Sequence, residues 1–299
     1  MSWILYTITA TILQNFRNLE QKNLNKKLDA LTVSWSRFIL PLPFAILTAI
    51  YTFSILTNQF ILYCIITAIF QVGGNLLLLR TIKSKNFSIG VAFSKTETLQ
   101  AMIVGFLFFG ETVSSVGCSA ILVATIGVIL MSGLSFNGGF KKFTKSLNNK
   151  STLFGILCGS CFSVSAFNLK FASETLLPLG YSNLKASIVV LLWVICFQNL
   201  FFIVVKLYQK RLSQDLSSLL LLENKTAFFK TSILSFLGSV FWFTAYSLGK
   251  VVYVKAVGQI ELILAIASSH FILKERLNRL EIIGIILTFS GILTLILFH

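Results

Sequence analysis

Apolar positions dominate this chain in long runs, and the polar ones gather in short breaks between them. A membrane-spanning helix needs roughly 20 apolar residues, and on that measure the pattern predicts ten spans, at about 3–20, 31–52, 58–79, 87–109, 114–134, 152–172, 182–206, 230–249, 254–273 and 281–298. The fold class expected is therefore an all-α integral membrane protein with ten transmembrane helices. Five helices on each side of a polar stretch from Asn137 to Ser151 divide the chain into residues 1–136, a basic linker at 137–151, and residues 152–299. Because each half has an odd number of spans, the second enters the membrane from the opposite side, so the two five-helix repeats are inverted.

A few polar positions interrupt the apolar runs, and some recur. Glu97, Glu111 and Gly127 return 164 residues later as Glu261, Glu275 and Gly291. The chain has only ten acidic residues, so four of them falling into two equal pairs is a strong sign of duplication. Lys95, Glu97 and Gln100 stand in the fourth helix, with Gln259 and Glu261 at the matching places of the ninth. At 1.5 Å per residue, Glu97 and Glu261 are expected about 10–15 Å inside the nearer helix end. An unpaired charge at such depth costs about 2.5 kcal/mol or more, which makes these residues pointers to function. Two readings follow from the residues themselves. Either the carboxylates face a cavity and bind a substrate amine or exchange a proton, or they form an internal ion pair that fixes packing.

Composition supports the membrane class. Hydrophobic residues make up 56% of the chain and charged ones 12%, with a mean hydropathy of +0.85, whereas soluble domains carry about 25% charged residues. The net charge of +15 does not indicate nucleic-acid binding, because the basic residues lie in inter-helix loops and build no basic domain. Of 25 Lys and Arg, 18 fall after helices 1, 3, 5, 7 and 9. The positive-inside rule makes that side cytoplasmic, places both termini outside, and assigns the protein to the cytoplasmic membrane.

Other intramembrane cations are Arg17, Arg37, Lys170 and Lys185. Arg37 is a candidate carboxylate partner, while Arg17, Lys170 and Lys185 are candidate gating residues near the two mouths; the alternative is snorkelling to the headgroups. Pro41 and Pro43 should bend the second helix beside Arg37. Glu111 and Glu275, at helix ends beside short turns, suit capping of the next helix in the chain. Cys158 and Cys161 form a CxxC within a helix, with no second pair to complete a zinc site, and no nucleotide or hydrolase motif occurs; no cofactor or metal is expected.

The stretch from Val91 to Ser132, with Glu-Thr closing the fourth helix before a Gly-punctuated apolar helix, resembles the EamA repeat of the drug/metabolite transporter superfamily. So does Lys255 to Leu297, with Lys274-Glu275-Arg276-Leu277, Glu281 and Gly284. The resemblance covers nearly the whole chain and implies a ten-helix carrier of amino acids or other small metabolites. A secondary transporter of a small amino-carboxylate is the function expected, with Lys95, Glu97, Gln100, Gln259, Glu261 and Arg37 as candidate substrate-binding or proton-coupling residues. Export of cationic drugs or anionic metabolites, and an integral-membrane enzyme or scaffold, are the alternatives. The partners are a small molecule and the lipid bilayer; the sequence does not speak to oligomeric state.

The orientation is testable. With single cysteines introduced into a cysteine-free chain, an impermeant thiol reagent applied to intact cells should modify position 114 and leave position 148 unlabelled; the opposite pattern reverses the topology.

Overall fold

A computed structural model describes residues 2–82, 93–131, 150–273 and 278–298. The start of the expected fourth helix (87–92), most of the linker (137–149) and Glu275 lie outside the described residues. Those described form thirteen α-helices: α1 (Ser2–Asn25), α2 (Ala30–Ile39), α3 (Leu42–Thr52), α4 (Asn58–Ile82), α5 (Glu97–Phe109), α6 (Ser115–Met131), α7 (Lys150–Glu174), α8 (Asn183–Tyr208), α9 (Leu212–Leu220), α10 (Leu222–Leu248), α11 (Val251–Gly258), α12 (Ile260–Leu273) and α13 (Arg279–Leu297). Five spans among them are long and apolar enough to cross a membrane: Asn58–Leu78, Lys150–Leu179, Asn183–Tyr208, Glu223–Leu248 and Arg279–Leu297. A sixth is the bent pair Ala30–Ile39 and Leu42–Ile55.

The expected second helix is broken as its prolines require. α2 and α3 meet at 55° around Leu40 and Pro41. Proline has no N–H, so the carbonyl four residues upstream loses its helical donor. Arg37, four residues before Pro41, has its carbonyl served by the Ser232 hydroxyl at 3.5 Å. Next to it, the Phe38 carbonyl takes the Asn199 side-chain N–H at 2.9 Å, and Asn199 Oδ1 in turn accepts from Trp35 Nε1 at 2.9 Å. Polar side chains on α8 and α10 thereby replace the donors that the bend removes.

Two more expected spans are also interrupted. The fourth has a turn at Lys95–Thr96 before α5 begins, and the ninth divides at Gln259 between α11 and α12. The two breaks keep the 164-residue offset of the acidic pairs. At the first, the Thr96 hydroxyl and N–H both donate to Phe93 O, at 2.7 and 3.2 Å, so a side chain competes for the backbone acceptor. Glu97 and Glu261 consequently stand in the first turns of new helices and not within continuous ones.

The chain folds into two compact units, each drawing on both halves of the sequence. Residues 1–72 and 168–248 make the first, and residues 73–167 and 249–299 the second. In the first unit, α1 packs along α10, and α8 packs against α2 and α3. Its buried Lys206, at the end of α8, pairs with Asp215 on α9 and with Asp29 at 3.6 Å, and donates to Thr32 Oγ1 at 2.7 Å. Asp29 also caps α2 through the N–H groups of Leu31 and Thr32. This cluster gives the inter-helix segment 209–221 a fixed attachment, including α9, which the sequence pattern did not anticipate.

In the second unit, α6 and α13 cross closely at glycines. A Cβ on Gly127 would meet Thr288 Oγ1 and lie 2.6 Å from Thr288 N; one on Gly284 would lie 2.6 Å from Gly127 O. A Cβ on Gly291 would lie 2.6 Å from Ala120 O and 2.7 Å from Ala124 N. These contacts repeat under the same offset: Ala120 corresponds to Gly284, Ala124 to Thr288, and Gly127 to Gly291. Close backbone approach through small residues is how helices associate where lipid removes the hydrophobic drive. Gly127→Ala should therefore lower the thermal midpoint of the purified protein in detergent, by an amount matching an overpacking cost of about 1–3 kcal/mol. Gly73→Ala, whose Cβ would meet only Cys161 Sγ at 4.0 Å, should leave it within about 1 °C on the same scale.

Candidate functional site

The two helix breaks of the second unit bring four charged side chains together. Lys95 Nζ lies 3.6 Å from Glu261 Oε2, and Lys255 Nζ lies 3.7 Å from Glu97 Oε2. Each pair joins one broken span to the other, so the two ion pairs cross. Lys255 is buried, whereas Lys95 and Glu97 each keep about a third of the side chain accessible, at 29% and 30%, and Glu261 keeps 15%. An internal ion pair and an accessible carboxylate were alternative readings of the sequence, and here Glu97 has both properties.

Each carboxylate also sits at a half-helix N-terminus, Glu97 on α5 and Glu261 on α12. Free N–H groups and the helix dipole there stabilise negative charge by about 0.3–1 kcal/mol. Two lysines and two glutamates sum to zero, so the unit carries these charges in an apolar setting without a net charge. That balance offsets much of their desolvation cost.

Amide and hydroxyl groups surround the ion pairs. Gln259 Nε2 donates to Thr98 Oγ1 at 2.9 Å and to Thr125 Oγ1 at 3.3 Å, while its Oε1 is buried without a hydrogen-bond partner. Gln100 accepts from Ser160 at 2.8 Å and donates to Thr96 at 2.9 Å. Ser163 donates to the Glu97 carbonyl at 3.0 Å. Gly159 leaves room for Gln100, whose amide atoms lie 2.9–3.1 Å from where a Cβ would stand. Gly155 and Gly159 form a GxxxG, a spacing that suits helix packing, and here Gly159 accommodates a side chain of the site.

Five of the residues singled out from the sequence, Lys95, Glu97, Gln100, Gln259 and Glu261, gather in this one unit. Lys255 completes the group and was missed, because the sequence pattern put it at the very start of the ninth helix (254–273), beside a loop, when it lies in the last turn of α11. Arg37, Arg17, Lys170 and Lys185 belong to the first unit. Arg17 is buried and donates to Asn18 Oδ1 at 2.9 Å; Lys185 is exposed in the first turn of α8. Glu111 caps a helix as expected, but one from the other half of the chain: its Oε1 accepts from Val252 N–H, at 3.1 Å, in the first turn of α11. Lys250 reinforces this by donating to Thr112 O at 2.8 Å.

The EamA-like transporter family matches residues 1–133 and 149–297, which is nearly the full length and corresponds to the two halves separated by the linker. The chain belongs to the EamA-like transporter family. It is accordingly a multi-pass membrane protein of a transporter family, whose partners are a small-molecule substrate and lipid. A solved crystal structure of a protein superposes with a TM-score of 0.71 over 99% of this chain and 97% of that one. The two are 12% identical in sequence, so this likeness concerns the fold. No curated protein matches the sequence.

The ion pairs can be tested by removal. Lys255→Met strands Glu97, and Glu97→Gln strands Lys255, so each variant should be less stable than wild type. The double variant should recover part of the loss, giving a coupling of about 0.5–3 kcal/mol in a double-mutant cycle read by thermal or denaturant unfolding. Strict additivity would mean that the two side chains do not interact.

Proposed function

We propose that this EamA-like transporter is a secondary carrier of a small zwitterion, an amino acid or related amino-carboxylate, moved across the cytoplasmic membrane by alternating access. The observation that carries the reading is the neutral, crossed set of Lys95–Glu261 and Lys255–Glu97. A zwitterion exchanges partners with it without altering its net charge. The substrate ammonium takes the place of a lysine at Glu97 or Glu261, and the carboxylate takes the place of that glutamate at the released lysine. Gln259 Oε1, a buried acceptor without a partner, is available to a second ammonium hydrogen. A ligand with a single charge leaves one unit uncompensated in a low-dielectric interior, at a cost of several kcal/mol.

Alternating access needs two arrangements of similar energy, which inverted repeats provide. The matched positions of the two helix breaks, and the reciprocal contacts of Gly127 and Gly291, support a ten-helix chain built from two such repeats. Broken helices beside a substrate site are a recurrent device of carriers of this kind, since the freed half-helix ends supply polar groups at depth. Movement by exchange, or with a proton on one of the carboxylates, is compatible with the same exchange of partners.

Counterflow in proteoliposomes provides the test. A transported amino acid should be displaced by its unlabelled form at least ten times better than by its decarboxylated amine or its deaminated acid, equivalent to a preference of about 1.4 kcal/mol. Equal competition by the amine or by the acid defeats the zwitterion reading and favours a cation or an anion carrier respectively. Glu97→Gln and Glu261→Gln should each reduce counterflow by more than tenfold in vesicles matched for folded protein. Full transport by both would remove the carboxylates from the site.

A further inference from the structure

The first unit contains a second group of polar side chains at one level. α1 and α10 run antiparallel in a fixed register: Lys27 pairs with Glu223 at 2.9 Å, Glu20 with Lys230 at 3.3 Å, and Gly238 faces Leu13 at 3.6 Å. As positions on α1 fall, positions on α10 rise by nearly the same step, so Arg17 stands opposite residue 233, between the levels of Thr231 and Ser235. The Ser232 contact with the Arg37 carbonyl fixes α2 at that same level. Thr231 and Ser235, four residues apart, share one face of α10.

Three polar atoms at this level are buried without a hydrogen-bond partner: Arg37 Nε, Thr231 Oγ1 and Ser235 Oγ. Among the described residues Arg37 forms no ion pair, and its guanidinium lies over the Phe38 ring with Cζ 5.1 Å from the centroid. Arg17 is buried as well, and its charge acts on Arg37. Of the five acids in this unit, Glu20, Glu223, Asp29 and Asp215 are engaged by lysines, and Glu174 stands at the end of α7. A buried guanidinium with an unused N–H at the level of two unused hydroxyls is an arrangement that a bound negative group would stabilise. Arg17 lies eight residues from the end of α1, about 12 Å along the helix.

We infer that α1, α2 and α10 form a binding site for a small oxyanion, a carboxylate or phosphate group from solution, held by Arg37 Nε and the hydroxyls of Thr231 and Ser235 under the added positive charge of Arg17. A guanidinium edge matches two oxygens of such a group, and the two hydroxyls complete its donors. The first unit then handles a negative group on its own, whereas the Lys–Glu set of the second unit handles both signs. The inference stands apart from the zwitterion reading, since none of its residues belongs to that set.

The test is thermal unfolding of the full-length protein in nanodiscs of zwitterionic lipid, titrated with inorganic phosphate and separately with sodium acetate against sodium chloride of equal ionic strength. A saturable rise in the midpoint with phosphate or acetate is expected. Thr231→Val/Ser235→Ala, nearly isosteric and lacking only the donors, should weaken the apparent affinity by at least tenfold, and Arg37→Lys should weaken it similarly. Glu97→Gln should retain wild-type affinity. The proposal is overturned if neither anion gives a saturable shift, if the double hydroxyl variant responds as wild type does, or if Glu97→Gln abolishes the shift and so assigns the anion to the other unit. A rise that appears only in anionic-lipid nanodiscs, without added anion, also overturns it by making a lipid phosphate the ligand.

Discussion

Charge inside a membrane is costly unless another charge or an oriented dipole meets it, and this constraint organises the second unit. Lys95, Glu97, Lys255 and Glu261 satisfy it through two crossed pairs and two helix N-termini. The geometry depends on interrupting the helices. A continuous helix offers its N–H groups to its own carbonyls and has no free donor at depth; a break at Lys95–Thr96 or at Gln259 creates one. The polar residues at the breaks and the charges beside them are therefore parts of one solution. Lys206 obeys the same rule at the end of α8, where burial of its ammonium is matched by Asp215, Asp29 and the Thr32 hydroxyl.

The legibility of the sequence follows from how rare a signal is against its background. Glu97 and Glu261 stood out because acids are scarce in an apolar chain, and their shared offset pointed to equivalent positions. Lys255 did not, since lysines are common in the loops and a boundary error of a few residues put it at the first turn of a predicted helix, next to a loop. The bend at Pro41 was readable because proline removes a donor by covalent structure. The breaks at Thr96 and Gln259 were not, because they depend on side-chain competition and on tertiary partners such as Thr98 and Thr125, which an apolar run does not encode. Likewise Arg37 was visible as an intramembrane cation, whereas Thr231 and Ser235 are ordinary helix residues until packing removes their partners.

The division into two compact units was the least apparent feature. Sequence repeats suggest that each half folds by itself, yet each unit takes helices from both halves. In the second unit, α6 and α13, which occupy equivalent positions 164 residues apart, face each other, while α5 packs against α11 from the other half. Duplication supplied matching surfaces, and the matching surfaces then packed together. Gly127 and Gly291 recur for that reason: each occupies the same place on its own side of one crossing.

The two kinds of contact in this unit differ in what can replace them. At the α6–α13 crossing, backbone atoms approach within distances that only glycine permits, and no ligand or water can reproduce that fit once the helices part. Separating them loses packing with nothing gained in return, so the crossing acts as a rigid seam. On the zwitterion reading proposed above, the Lys–Glu pairs have an alternative of nearly equal energy, because a substrate with both charges takes the place of either partner. Lysine and glutamate also reach across the breaks on flexible stems, so a change of partner needs little backbone movement. A carrier requires both kinds of contact at once, an invariant seam that keeps its helices in register and a set of exchangeable pairs through which binding can alter the balance between two arrangements. In this chain the 164-residue repeat supplies both kinds of contact in one unit: the recurring glycines form the seam, and the recurring glutamates form the ion pairs to which the proposed exchange is assigned.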